Sequence, residues 1–406
     1  MNGRPSSLVP GAWRLRRLGR DRDNVAYLVL LVAAIIFPLV TGLVQGAGAG
    51  PSIDSASNAG VYVLLAIGLN VVVGFAGLLD LGYAAFFAIG AYTYGLLASP
   101  ILGNSPLHHA VHIPIWIALF VALAVAGSFG AILGAPTLRL RGDYLAIVTL
   151  GFGEIVPRVF RNLGDYTGGV NGVAALDIPS LPGWVNGPWA GLPLGFTRNF
   201  QFGFDPIPYY IVIVALVVIS VILVRNLQRS RLGRAWMAIR EDEVAAAAMG
   251  VNTVRTKLLA FSIGASFSGF AGCFYAAKLA NVSPDNFSFL VSVTILVMVV
   301  LGGMGNIPGA ILGGIVIYFI QFKVLLDLPD WVLGFARAVG LGYLNTPHGD
   351  WAGIHDEVQR LNFLLFGLIL VLVMLLRPQG LFPSKLRAQE LTKGTSDETV
   401  FDARSA

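Results

Sequence analysis

The chain has 406 residues, 56% of them hydrophobic and only 12% charged, with a formal net charge of +5. Soluble domains carry roughly 25% charged residues, and a chain this apolar cannot hide its surface in water, so the soluble classes are excluded. The single cysteine, Cys273, excludes an intrachain disulfide and sits in an apolar run as a small packing residue.

Ten apolar runs are long enough to cross a bilayer. They lie at approximately 25–45, 59–79, 81–99, 113–136, 144–162, 207–225, 257–279, 287–303, 308–325 and 361–377. The sequence therefore predicts an all-α, polytopic membrane helix bundle of about ten transmembrane helices, some broken or re-entrant. Its 49 glycines fit close helix–helix approach. Residues 1–24 form a basic tail. The first apolar run comes directly after it and is long enough to cross a bilayer, so it is expected to stay as a span rather than be cleaved as a signal.

In the second run, Asn70 is a polar group within an apolar helix, suited to interhelical hydrogen bonding. The run ends in "GFAGLLDLG", residues 74–82, where Gly74 and Gly77 interrupt the helix and Asp80 stands between two apolar segments. An acid there either serves function or caps the start of the next helix. Next comes "HHAVH", with His108, His109 and His112. Without a nearby carboxylate or cysteine in sequence, this is a poor ligand set, and no metal site is assigned. In the fifth run Glu154 and Arg158 are spaced i, i+4 and can neutralise each other, and Pro157 is expected to kink the helix. Residues 163–206 are a long loop rich in Gly, Pro and aromatics. Its aromatics suit a place along the membrane surface, and its length suits either a connector or a docking surface for an outside partner.

Residues 226–256 interrupt the apolar pattern with charge. Glu241, Asp242 and Glu243 precede Val244 and four alanines, Ala245–Ala248, with Met249 and Gly250 after them. Acids favour a helix N-terminus, alanine is the best helix former, and Gly250 is placed to close the C-terminus. The spacing predicts a short helix, which is either a solvated surface element or one that docks into a groove of another protein. A second glycine break, "GGMGNIPG" at 302–309, holds Gly302, Gly303, Gly305 and Asn306, with Pro308 at the first turn of the next helix. Each break joins two apolar helices, a pattern that transporters use around a substrate path. Residues 326–360 form a second long loop, and 378–406 a C-terminal tail.

Of the 27 Lys and Arg residues, 20 fall in the N-terminal tail, around 137–143, in 225–257 and in 377–406. The positive-inside rule then places both termini and 226–256 in the cytoplasm, and 163–206 and 326–360 outside. The basic residues are topology anchors and not a nucleic-acid footprint. The chain has no G-x-x-x-x-G-K-[ST] phosphate loop, no G-x-S-x-G elbow and no H-E-x-x-H helix. Any energy from nucleotide must come from another chain, and no catalytic residue is assigned.

Several stretches together resemble the permease subunits of bacterial ABC importers for branched-chain amino acids, and more narrowly the longer of the two permeases of that system. They are "GLNVVVGFAGLLDLGYAAFFAIGAY", "LRLRGDYLAIVTLGFGEI", "GRAWMAIREDEVAAAAMGVNTVRTKLLAFSIGASFSGFAGCFYAA", "VSPDNFSFLVSVTILVMVVLGGMGNIPGAILGG" and "LRPQGLF". The resemblance covers about 58–383. It implies a multi-pass protein of the bacterial inner membrane, with a second permease subunit, two cytoplasmic ATPase subunits and a periplasmic substrate-binding protein as partners. It also implies that ATP and magnesium sit on the ATPases, with no cofactor on this chain, and that 240–250 docks on an ATPase. Many such permeases carry E-A-A-x-x-x-G in this loop. Here Ala245, Ala246 and Gly250 match, while the acid stands one position further away at Glu243 with Val244 between. The expected cargo is a branched-chain amino acid, with urea, amides and aromatic acids as the alternatives carried by related systems. An autonomous secondary transporter would need several intramembrane carboxylates, and Asp80 and Glu154 are few for that.

Overall fold

The computed structural model describes residues 11–104, 111–137, 143–174, 176–179, 202, 203, 205–346, 353–376 and 380–382. His108, His109, most of 163–206 and nearly all of the C-terminal tail lie outside these. Every one of the ten expected apolar segments carries a helix. In chain order the helices are α1 (Gly11–Gln45), α2 (Ala49–Leu69, continued by a π turn Asn70–Phe75), α3 (Tyr83–Leu97), α4 (Ile115–Thr137), α5 (Asp143–Asn162) and α6 (Pro206–Arg229). Two short helices come next, α7 (Arg231–Glu241) and α8 (Glu243–Ala248), then α9 (Thr253–Leu279), α10 (Phe289–Gly302) and α11 (Ile307–Phe319). A π turn at Ile320–Val324 leads into α12 (Leu325–Ala338), and α13 (Ile354–Arg360) and α14 (Asn362–Leu376) complete the bundle. Seven described segments are long and apolar enough to cross a membrane, and α3 is a shorter apolar helix.

Helix α9 is the hub. It packs against α2, α3 and α4, while α2 also packs against α6 and α11, and α10 pairs with α11. The approach is close because glycine faces backbone. A Cβ on Gly90 of α3 would lie 2.2 Å from the Gly269 carbonyl oxygen of α9, and one on Gly269 would lie 2.3 Å from the Ala126 Cβ of α4. The glycine-rich composition thus serves helix contacts at the centre, as in other membrane bundles. Cys273 is fully buried there, as its apolar setting suggested.

Two interior prolines show how side chains from neighbouring helices satisfy backbone carbonyls within the bundle. Pro38 in α1 has no N–H for the Ala34 carbonyl four residues back, and the Tyr210 hydroxyl of α6 donates to that oxygen at 2.8 Å. Pro329 in α12 likewise frees the Leu325 carbonyl, and Asn362 Nδ2 donates to it at 3.3 Å. The second case corrects the reading of 326–360 as loop from its first residue. The helix begun at Ile307 runs on to Ala338, because α14 supplies the hydrogen bond that Pro329 takes away. Helix α5 also continues through Pro157 to Asn162.

The end of the bundle remote from α8 is closed by two small antiparallel strand pairs, Ala98–Ser99 with Val111–His112 and Val173–Ala174 with Asn281–Val282. Asp177 braces the first pair. Its carboxylate meets His112 Nδ1 at 2.7 Å, and its carbonyl accepts from the Tyr94 hydroxyl at 2.8 Å. His112 therefore has a carboxylate partner that is distant in sequence. No cluster of three or more metal-ligating side chains occurs among the described residues.

Candidate functional site

The charged stretch forms the short helix expected of it. Asp242 is the N-cap of α8, its Oδ1 accepting from the backbone N–H of Val244 at 2.8 Å and of Ala245 at 3.0 Å. Gly250, at φ +85°, closes the other end; its N–H donates to the Ala247 carbonyl and the Val251 N–H donates to the Ala246 carbonyl. Glu243 has a different task, pairing with Lys257 Nζ at 2.6 Å and tying α8 to the first turn of α9. Within the chain the two acids divide the work: Asp242 caps α8 and Glu243 pairs with Lys257. Glu241 is the last residue of α7 and is exposed.

Only Ala246 of α8 is buried against the bundle. Ala245 is exposed, and Val244 and Met249 present 79% and 85% of their surface. Two large apolar side chains held outward on a helix capped at both ends form a contact surface with little order left to lose. Asp242→Ala removes the cap and should cost α8 about 1 kcal/mol. Faster amide hydrogen exchange across 243–248 checks this, whereas Glu243→Ala should leave the rates in that helix nearly unchanged.

Helix α7 is a firm base for α8. Ser230 Oγ caps it by accepting from the Gly233 N–H, and Trp236 is fully buried with its indole N–H donating to the Thr256 carbonyl at 2.7 Å. From its last turn Arg240 reaches the bundle, where Nη1 donates to the Gly74 carbonyl at 2.5 Å.

Both glycine breaks lie at this same point. Asn70, fully buried in the π turn of α2, accepts at Oδ1 from the Gly305 N–H at 2.8 Å, so the first break is bonded to the second. Its Nδ2 has no hydrogen-bond partner among the described residues. Gly74 must be glycine: a Cβ there would lie 2.1 Å from Asn70 Oδ1 and 2.6 Å from the Gly305 nitrogen. Gly77 and Gly305 adopt positive φ, +70° and +81°. Asp80 is 1% exposed and accepts at Oδ1 from the Gly82 N–H at 2.9 Å, a local turn just before α3. Gly302 and Gly303 are buried, and the second break is strapped by Gly380–Phe382. The Leu381 and Phe382 N–H groups donate to the Leu301 and Gly302 carbonyls, and Asn306 Nδ2 donates to the Phe382 carbonyl at 3.1 Å.

The ion pair expected in α5 forms, with Arg158 Nη2 and Glu154 Oε2 3.3 Å apart, both substantially exposed on the outer face of the bundle. Two participants carry no signal in the sequence. Arg240 reads as one cation of a basic run. Phe382 lies at the end of "LRPQGLF" with no sign of what its backbone binds.

Paired helix breaks buried within a multi-pass apolar bundle define the class, a membrane transport protein of the permease type. A family model described as "Branched-chain amino acid transport system / permease component" matches residues 52–374. The chain belongs to that family. It is 37% identical to the high-affinity branched-chain amino acid transport system permease protein LivM of Salmonella typhimurium, over 92% of this chain and 78% of the relative. To LivM of Escherichia coli it is 36% identical, over 93% and 80%. To the permease protein LivH of Escherichia coli it is 26% identical, over 79% and 90%. No solved structure matches the chain.

Proposed function

We propose that the chain is a transmembrane permease subunit of an ATP-driven importer that moves branched-chain amino acids across the bacterial inner membrane. A second permease of LivH type would complete the path, two cytoplasmic ATPases would supply the energy, and a periplasmic binding protein would deliver the cargo. ATP and magnesium belong to the ATPases on this reading. The observation that carries it is α8, a six-residue helix capped at both ends that holds Val244 and Met249 outward. The charge bias puts α8, both termini and the two breaks on the cytoplasmic side. Closure of the ATPases would push on α8, and the breaks at 74–82 and 302–309 would switch the path from outward- to inward-open.

The test is reconstitution. The chain, with its partner permease, ATPases and binding protein in proteoliposomes, should take up radiolabelled leucine only when ATP is supplied, and excess isoleucine or valine should compete. Uptake driven by an ion gradient with this chain alone would overturn the reading. Competition by urea or an aromatic acid, but not by valine, would reassign the cargo.

A further inference from the structure

We propose that Arg240 is the positioning residue through which movement of α8 reaches both helix breaks, a latch that holds the α8 end of the path shut. The inference rests on the reading of α8 as the docking helix and goes beyond it by naming how a push there enters the bundle.

Three segments distant in sequence close at this one side chain. Arg240 stands two residues before Asp242, the residue that caps α8. Its guanidinium donates to the Gly74 carbonyl, in the last turn of the helix that the first break ends. Carbonyls in a last helical turn lack an intrahelical donor, and a cation is favoured at that end of the helix dipole. The Arg240 stem covers Gly77, where an added Cβ would lie 2.9 Å from Cγ. The guanidinium also covers Gly305 of the second break, where an added Cβ would lie 3.1 Å from Nη1. Asn70 closes the ring from inside by accepting from the Gly305 N–H. One arginine therefore touches both breaks, and the breaks touch each other.

Two further observations suit a latch. First, Arg240 sits in the last turn of α7, two residues before the cap of α8, so movement of α8 passes directly to the stretch of chain that carries its side chain. Second, Arg240 has no carboxylate within ion-pair distance among the described residues, so its hold on the breaks is a hydrogen bond to a neutral carbonyl. Such a bond is worth far less than a buried ion pair would cost to break, and it can open and close in each transport cycle.

The experiment uses the complete reconstituted transporter and two variants that strike the same contact from opposite sides. Arg240→Gln removes the charged donor, and Gly77→Ala pushes the stem aside while also straining the left-handed backbone of the first break. Leucine uptake per ATP hydrolysed should fall at least tenfold in both, with the ATP hydrolysis rate within about threefold of the parent, and Arg240→Lys should recover part of the loss. Amide hydrogen exchange adds a readout that a role confined to α7 would not move: in Arg240→Gln, rates at both 74–79 and 303–306 should rise at least tenfold. Unchanged uptake per ATP in both variants, or unchanged exchange at 303–306, overturns the latch. So does an equal fall of uptake, hydrolysis and membrane content that Arg240→Lys does not relieve. Gly250→Arg separates the two readings. If it uncouples transport while the Arg240 and Gly77 variants do not, the latch alone fails. If Gly250→Arg stays coupled, the docking role of α8 fails.

Discussion

Gly250→Arg will leave the protein in the membrane at close to its normal level and will cut leucine uptake per ATP hydrolysed by at least tenfold. The folded bundle has little reason to notice the change. A Cβ at Gly250 meets no atom within 4 Å, so the intramolecular cost is the left-handed backbone, φ +85°, about 1–2 kcal/mol for a residue with a side chain. That strain falls on a six-residue element at the surface, remote from the α3–α9–α4 centre. Any partner seated on Val244 and Met249, however, meets a long cation at the edge of an apolar contact. Gly250→Asn is the informative companion, since asparagine tolerates the left-handed region and is short. It should retain most of the coupling. An arginine variant that transports as many leucines per ATP as the parent would remove α8 from the mechanism.

The second large effect lies at the centre of the bundle. Gly90→Val should prevent accumulation of the folded protein, or lower its thermal unfolding midpoint in detergent far below that of the parent. The added Cβ would stand 2.2 Å from the Gly269 carbonyl oxygen and 2.3 Å from its Cα. Overpacking costs about 1–3 kcal/mol where side chains can shift. Here the obstacle is backbone, so α3 and α9 must part, and each also carries contacts to α4. Gly151→Val in α5 is the matched control, with nothing within 4 Å of its Cβ, and should unfold at the parent temperature. Equal midpoints for the Gly90 and Gly151 variants would show that the α3–α9 contact is not what the composition is serving.

The positions of the helices were legible because the membrane imposes a simple pattern, long apolar runs separated by charge. The caps of α8 were legible for the same kind of local reason, an acid before an alanine run and a glycine after it. Which acid caps was not, because Asp242 and Glu243 differ only in what they reach, and Lys257 decides that from α9. The breaks were visible as glycine clusters, yet nothing local says that Asn70 bonds Gly305, since that bond joins residues 235 apart. Arg240 was hidden by its neighbours: in a basic run, each arginine looks like a topology anchor. The end of the helix that starts at Ile307 was not legible, because Pro329 and two aspartates resemble a stop and the asparagine that rescues the helix stands 37 residues from the carbonyl it binds.

That rescued helix has a consequence for shape. Helix α11, the π turn and α12 together run 32 residues, Ile307–Ala338, about 48 Å at 1.5 Å per residue. A bilayer's hydrocarbon core is only about 30 Å thick, so some five to ten residues stand clear of it even when the helix tilts. The extension carries Trp331 exposed on its surface, a side chain that favours the level of the lipid headgroups. The helix therefore rises past the membrane that it crosses, and a thicker membrane would bury more of it.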